Sequence, residues 1–150
     1  MKKILSISDA SALAMHTMGL LSCSPSESFT TKKLASLLHA SEHHLSKVLQ
    51  RLAKAGWIKS VRGPSGGFRI SPGWERISLL QIYELMEGPF KPDECLLGRT
   101  VCVGRSCILG HLLKNVNSQI RQALLRTRLS DMIDSLNISL IQNHEKEGSS

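Results

Sequence analysis

The sequence predicts a mainly α-helical chain with one small β-hairpin and a long helix near its C-terminus. Three observations carry that expectation. Apolar residues recur every three or four positions over most of the chain, which is the period of a helix with one buried face. The exception is Arg62-Gly63-Pro64-Ser65-Gly66-Gly67-Phe68-Arg69, turn chemistry between the short flanks WIKSV and GFRIS, and this reads as a hairpin. The order of these pieces is helix, helix, short turn, helix, hairpin, which is that of a helix-turn-helix with a wing.

The elements follow in order. Ser6 with Asp9 three residues later forms a capping box for a first helix running to about Leu21. The opening MKKILSISDASALAMHTMGLLSC has two lysines and an apolar stretch, as a signal peptide does. Ser6, Ser8, Asp9, Ser11, His16 and Thr17 interrupt it at helical spacing, however, so it reads as an amphipathic helix. Pro25 and the serines around it make a loop. A second helix runs from Thr31 to about His39, with Leu34, Leu37 and Leu38 on one face. Ser41 suits the N-cap of a third helix, which buries Leu45, Val48, Leu49 and Leu52 and ends at Gly56. After the hairpin, Ser78 caps a fourth helix ending at Gly88-Pro89. From His111 to about Arg128, Leu112, Leu113, Val116, Ile120, Ala123 and Leu124 form a stripe on a long helix. A stripe of that kind, outside the winged unit, suits pairing with a second copy. Met132, Ile133, Leu136, Ile138, Leu140 and Ile141 suggest a further short helix folding back, and the residues after His144 a frayed tail. The expected organisation is a winged unit over 1–88, a cysteine-bearing loop over 89–108, dimerisation and C-terminal helices over 109–143, and a flexible tail over 144–150.

Charge points to a partner. The chain of 150 residues carries a formal net charge of +7. Between Thr30 and Pro72 stand Lys32, Lys33, Lys47, Arg51, Lys54, Lys59, Arg62 and Arg69 against Glu42 alone, and elsewhere 11 basic residues balance 11 acidic ones. All of the excess therefore lies on the helix-turn-helix and wing, the footprint of a polyanion-binding surface. No apolar run approaches the roughly 20 residues of a membrane span, and a cytoplasmic location is expected. The N-terminal part of the third helix faces base edges in this arrangement, through Ser41, His43, His44, Ser46 and Lys47, with His43 and His44 equally suited to solvation or weak phosphate contacts. Arg51 and Lys54 fall further along, at phosphates. On the wing, Gly66 and Gly67 let the backbone approach a duplex while Arg62 and Arg69 supply phosphate or minor-groove contacts. No paired carboxylates or nucleophile–base constellation suggests an enzyme.

Cys95, Cys102 and Cys107 fall within 13 residues, on a glycine-containing stretch between the fourth and long helices. Thiolates so close together suit a soft metal centre, either an iron–sulfur cluster or zinc. Arg99 and Arg105 beside them favour thiolate, which also suits a thiol redox sensor. A fourth ligand is open between His111, Asp9 and His16, the last two from a partner subunit. Cys23 reads as a buried thiol.

LASLLHASEHHLSKVLQRLAKAGWIKSVRGPSGGFRIS, then ISLLQIYELMEG and the three-cysteine loop, resembles the IscR/NsrR-type (Rrf-type) winged-helix regulators from Ile4 to about Met132. The resemblance implies a homodimeric transcription regulator binding a pseudo-palindromic double-stranded DNA operator. It implies Cys95, Cys102 and Cys107 as ligands of an iron–sulfur cluster, 2Fe–2S in preference to 4Fe–4S, reporting redox state, nitric oxide or iron–sulfur status. Ordering of the cysteine loop beside the long helix would then reset the spacing of two reading heads. The chain departs from the family pattern in three ways. Its cysteine spacings are six and four where five and five are common. His111 falls one step past the position where some members have histidine, which turns it about 100° away on a helix. Ser46 stands where some members carry glutamate. Members without cysteines respond through partners or small molecules; for this chain, which has the cysteines, a cluster-free thiol or zinc sensor of the same fold is the alternative.

Overall fold

A computed structural model describes residues 7–97 and 107–136. Helix α1 (Asp9–Cys23) lies at the centre, with α3, α4, α6 and the hairpin packed around it. Its N-cap is Ser8, whose Oγ accepts from the Ser11 N–H at 3.2 Å. Asp9 is thus the first helical residue and not the third position of a box, and Ser6 lies outside the described residues. The expectation of an amphipathic helix also needs correcting. Ser11, Ala14, Met15 and every residue from Thr17 to Ser22 are buried, with His16 exposed among them. Two of the buried polar residues are satisfied internally, while the buried Thr17 hydroxyl has no partner among the described residues. Ser11 donates to Glu87 at 2.5 Å and Ser22 to the Gly19 carbonyl at 2.7 Å.

Helix α2 (Thr31–Leu37) is capped by Thr30, which accepts from the Lys33 N–H at 3.1 Å. It stops before His39 because that residue turns left-handed, at φ +50°. The Ala40 and His39 N–H groups then bond back to Ala35 and Ser36 at 2.9 and 3.3 Å, closing the helix as a glycine normally would. Helix α3 (Glu42–Lys54) follows with Ser41 as its cap, and Leu45, Val48, Leu49 and Leu52 are buried as expected. Each such side chain contributes about 1.5–3 kcal/mol by leaving water. Gly56, at φ +79°, ends α3, with Trp57 N–H on the Leu52 carbonyl at 3.1 Å.

Strands β1 (Ile58–Val61) and β2 (Gly67–Ile70) pair antiparallel, with Ile58 opposite Ile70 and Lys59 opposite Arg69. Ile58 and Ile70 point into the core, and Lys59 and Arg69 are exposed on the other face. Phe29, 1% exposed, adds a third rung: it exchanges two backbone hydrogen bonds with Phe68, at 2.8 and 2.9 Å. Helix α4 (Leu79–Glu87) opens on a capping box between Ser78 and Gln81. Helix α5 (Ile108–Arg126) buries only Leu113 and Asn117. The chain then returns to the core earlier than Met132. Leu79 and Leu129 N–H groups bond the Thr127 and Ile77 carbonyls at 2.9 and 2.8 Å, and the short α6 (Leu129–Met132) seats Leu129 fully buried. The expected continuation through Ile138, Leu140 and Ile141, and the tail after His144, lie outside the described residues. Among those described, no helix is long and apolar enough to cross a membrane.

Candidate nucleic-acid interface and cysteine centre

The residues expected to read DNA divide into three groups. Lys47 and His43 are exposed on α3, as is Lys54 in its last turn, and Arg62 and Arg69 are exposed on the wing. A second group is already engaged. Ser41 spends its hydroxyl on the His44 N–H at 3.1 Å. Arg51 turns toward α4, where its Nη1 donates to the Met86 carbonyl at 3.0 Å. His44 and Ser46 are half-buried, and His44 lines a groove of about 500 Å³ between α1 and the helix-helix turn.

The wing glycines form the third group, and the chain itself accounts for them. A Cβ on Gly67, which has φ +140°, would stand 2.3 Å from the Phe29 carbonyl oxygen. A Cβ on Gly66 would stand 2.7 and 2.8 Å from the Gly63 and Val61 oxygens. Glycine is required at both positions by the approach of the chain to itself, with or without a duplex.

Two cations belong to this surface that the sequence reading left unassigned. Lys33 sits 4.9 Å from the Phe29 ring centroid, at the edge of a cleft of about 580 Å³ that it shares with Thr30, Arg62 and Arg69. Lys59 faces Arg69 across the hairpin. Like charges directly opposite on a sheet repel, so this face is conditioned for an anion. The signal for Lys33 was its place after Thr30 at the helix start, and for Lys59 its alternation with Ile58.

Two of the three clustered cysteines are described, Cys95 and Cys107, both half-buried; Cys102 lies outside the described residues with Arg99 and Arg105. Cys107 is the N-cap of α5, its Sγ accepting from the Gly110 N–H at 3.3 Å. The chain just before Cys95 docks against the same turn. The Glu94 carbonyl oxygen lies 3.0 Å from where a Cβ on Gly110 would stand, and Cys107 Sγ lies 3.7 Å from that point. Asn117, 3% exposed, holds the Asp93 carbonyl through its Nδ2 at 3.2 Å. The segments carrying Cys95 and Cys107 therefore meet at the head of α5, although 12 positions separate the two residues in the sequence. Thiolates are donors that an iron–sulfur or zinc centre takes, and the described residues bring two of the three cysteine-bearing segments, not three sulfurs, to this turn.

Of the candidates for a fourth ligand, Asp9 and His16 sit elsewhere, on α1, and His111 stands at the head of α5 with its N–H on the Cys107 carbonyl at 3.0 Å. Asp9 and His16 are exposed on α1 and line the groove with Ser41 and His44, and the His16 Nδ1 is 2.7 Å from the Ala12 carbonyl. His111 is exposed in the first turn of α5. Among the described residues no three His, Cys, Asp or Glu side chains converge as a metal site. Cys23 is half-buried, and burial pushes its thiol above the usual range, as suits an inert thiol.

Helix α5 leaves Ile108 84% exposed, Leu109 51% and Leu112 52%. Apolar exposure of that size on consecutive turns of one helix marks a surface for a partner.

Comparison with known proteins agrees with this layout. The Rrf2 family model, described as an iron-dependent transcriptional regulator, matches residues 7–135. The transcriptional regulator NsrR of Bacillus subtilis is 29% identical over 111 residues, covering 73% of this chain and 76% of that protein. NsrR of Bacillus licheniformis is 31% identical over 104 residues, covering 68% and 73%. Among solved structures, CymR, the global cysteine regulator of B. subtilis, superposes with TM-score 0.75 at 25% identity over 89% of this chain and 99% of that one. IscR of T. potens superposes with TM-score 0.69 at 22% identity over 90% of each.

Proposed function

Since the chain belongs to the Rrf2 family of transcriptional regulators, we propose that it acts as a homodimer whose operator affinity is set by an iron–sulfur cluster on Cys95, Cys102 and Cys107. The observation that carries this reading is the docking of the 93–95 segment onto the head of α5, beside the sulfur of Cys107. A bound cluster would supply a centre that changes with redox state or attack by nitric oxide. The chain's own part is to hold the sulfurs and to connect them to the winged unit. Asn117 fixes the approach of Cys95, and Gly110 leaves room for the Glu94 backbone. A 2Fe–2S cluster is preferred, with a fourth ligand from His111 or from Asp9 or His16 of the other subunit, all three being exposed. The exposed Ile108, Leu109 and Leu112 support a dimer through α5, and two copies would present two reading heads to a pseudo-palindromic operator. Lys47, Lys54, Arg62 and Arg69 contact that DNA in this reading, and Lys33 joins them.

The reading is tested by the visible spectrum of protein purified without oxygen, with iron and acid-labile sulfide assayed on the same sample. A band above the protein absorption, absent from the Cys95/Cys102/Cys107→Ala variant, is expected. A protein that stays colourless after reconstitution with iron and sulfide would refute the cluster. A second reading, a zinc or bare-thiol sensor of the same fold, would then stand, and the overlap with the global cysteine regulator favours it as the alternative.

A further inference from the structure

Arg51 lies on the helix expected to read DNA, four residues after Lys47, yet its guanidinium goes elsewhere. We infer that Arg51 is a positioning residue that ties the reading helix to the C-terminal end of α4, and through it to the segment carrying Cys95. The inference rests on the DNA reading above and assigns part of its regulation.

Three observations place the tie. The last carbonyls of a helix have no partner within the helix and form the negative end of its dipole. Arg51 Nη1 takes one of them, the Met86 carbonyl, at 3.0 Å. The next residue, Glu87, attracts Arg51 and accepts hydrogen bonds from the hydroxyls of Ser11 and Ser8 at the start of α1. One end of α4 thus holds α1 and α3 together through polar contacts. The cysteine segment begins at the same place. Phe90 N–H donates to Glu84 Oε1 at 2.9 Å and its ring lies 5.7 Å from that of Tyr83, so both anchor the chain to α4. Three residues on, Asp93 is held by Asn117 on α5. A shift of the 93–95 segment therefore pulls on the turn of α4 that fixes Arg51. Polar ties of this kind have sharp distance and angle requirements, so a small displacement releases α3 or reseats it.

The test is operator affinity across a salt series for Arg51→Ala, Lys47→Ala and Arg62→Ala, with melting temperatures of each. A residue at a phosphate carries about 0.9 of the salt slope, and losing it lowers the slope by that amount. Lys47→Ala or Arg62→Ala is expected to do so. Arg51→Ala is expected to weaken operator binding about tenfold, as for loss of a charged hydrogen bond, with the salt slope unchanged. A slope lowered by about 0.9 in Arg51→Ala would overturn the inference. No effect from any of the three would instead overturn the DNA surface itself. The tie to the cysteine segment has its own readout. The ratio of operator affinities between the parent protein and the Cys95/Cys102/Cys107→Ala variant should contract toward one when Arg51 is also alanine; an undiminished ratio would refute it. Should Arg51→Ala not fold, Glu87→Gln removes the charge facing Arg51 from a residue off the DNA surface. Weaker operator binding at constant slope is then expected, and equal or tighter binding would count against the tie.

Discussion

Replacing Gly67 with alanine separates a structural glycine from a DNA-contacting one. The new methyl group would stand 2.3 Å from the Phe29 oxygen, 2.5 Å from its carbonyl carbon and 2.8 Å from the Thr30 nitrogen. All three are backbone atoms, so no side chain can swing aside. The Phe29–Phe68 rung must open, losing two backbone hydrogen bonds worth about 0.5–1.5 kcal/mol each. An alanine held at φ +140° adds about 1–3 kcal/mol of backbone strain. The expected loss is about 2–6 kcal/mol, a large part of the roughly 5–15 kcal/mol that holds a domain folded. At about 2–4 °C per kcal/mol for a chain of this size, the melting temperature should fall by roughly 8–16 °C for the middle of that range. Gly63→Ala provides the comparison: Gly63 has φ +108° but no atom within 4 Å of the new Cβ. It should lose only the strain, about 1–3 kcal/mol. Thermal melts followed by circular dichroism, with urea titrations at 25 °C, measure both. A Gly67→Ala protein that melts within about 3 °C of the parent but loses operator affinity would refute the steric reasoning and return the glycine to the DNA.

Two other substitutions test local features of the fold. His39→Gly should raise the melting temperature slightly, because relief of a left-handed backbone worth about 1–2 kcal/mol exceeds the extra entropy of an unfolded glycine; a fall would show that the imidazole makes a stabilising contact in the groove. Glu87 tests pH dependence: the hydroxyls of Ser11, and then Ser8, hold its carboxyl below the ordinary value of 4.5. A carboxyl lowered by folding contributes stability above its unfolded value that is lost as pH falls through the folded one. Melting temperatures from about pH 5 downward should therefore drop less steeply in Glu87→Gln than in the parent, and parallel curves would contradict the hydrogen bonds.

What the sequence made legible was local. Helix α3 could be placed because Ser41, four apolar positions at helical spacing and Gly56 all state the same boundaries, and the hairpin because its turn has few alternatives. The pairing of Phe29 with Phe68, 39 positions apart, and of Ser78 with Arg128 was not legible, since backbone hydrogen bonds leave no mark on residue type. Helix α1 misled for a related reason. Ser11 has the look of a solvated position, but a central helix can bury serine when a carboxylate such as Glu87 meets it. In the candidate site, charge located the surface and missed the use of particular side chains. Lys47 and Arg51 share a face by spacing, yet the long Arg51 side chain reaches an acceptor at the end of α4, which spacing along α3 does not reveal. The meeting of the Cys95 and Cys107 segments depends on Asn117 and Gly110, neither of which carries a metal-binding signature alone.

The two kinds of anchor on α3 differ in a way that bears on regulation. Leu45, Val48, Leu49 and Leu52 hold it to the core by apolar burial, which changes little when neighbours slide by a fraction of an ångström. Arg51 holds it to α4 by one directional bond beside a carboxylate. In the proposed switch, a displacement of the cysteine segment would meet in the leucines a close-packed contact that resists small deformations. The same displacement would lengthen or shorten the polar tie at far lower cost. If α3 stays folded in both states of the proposed switch and changes its presentation to DNA, it needs one anchor of each kind, and both are present.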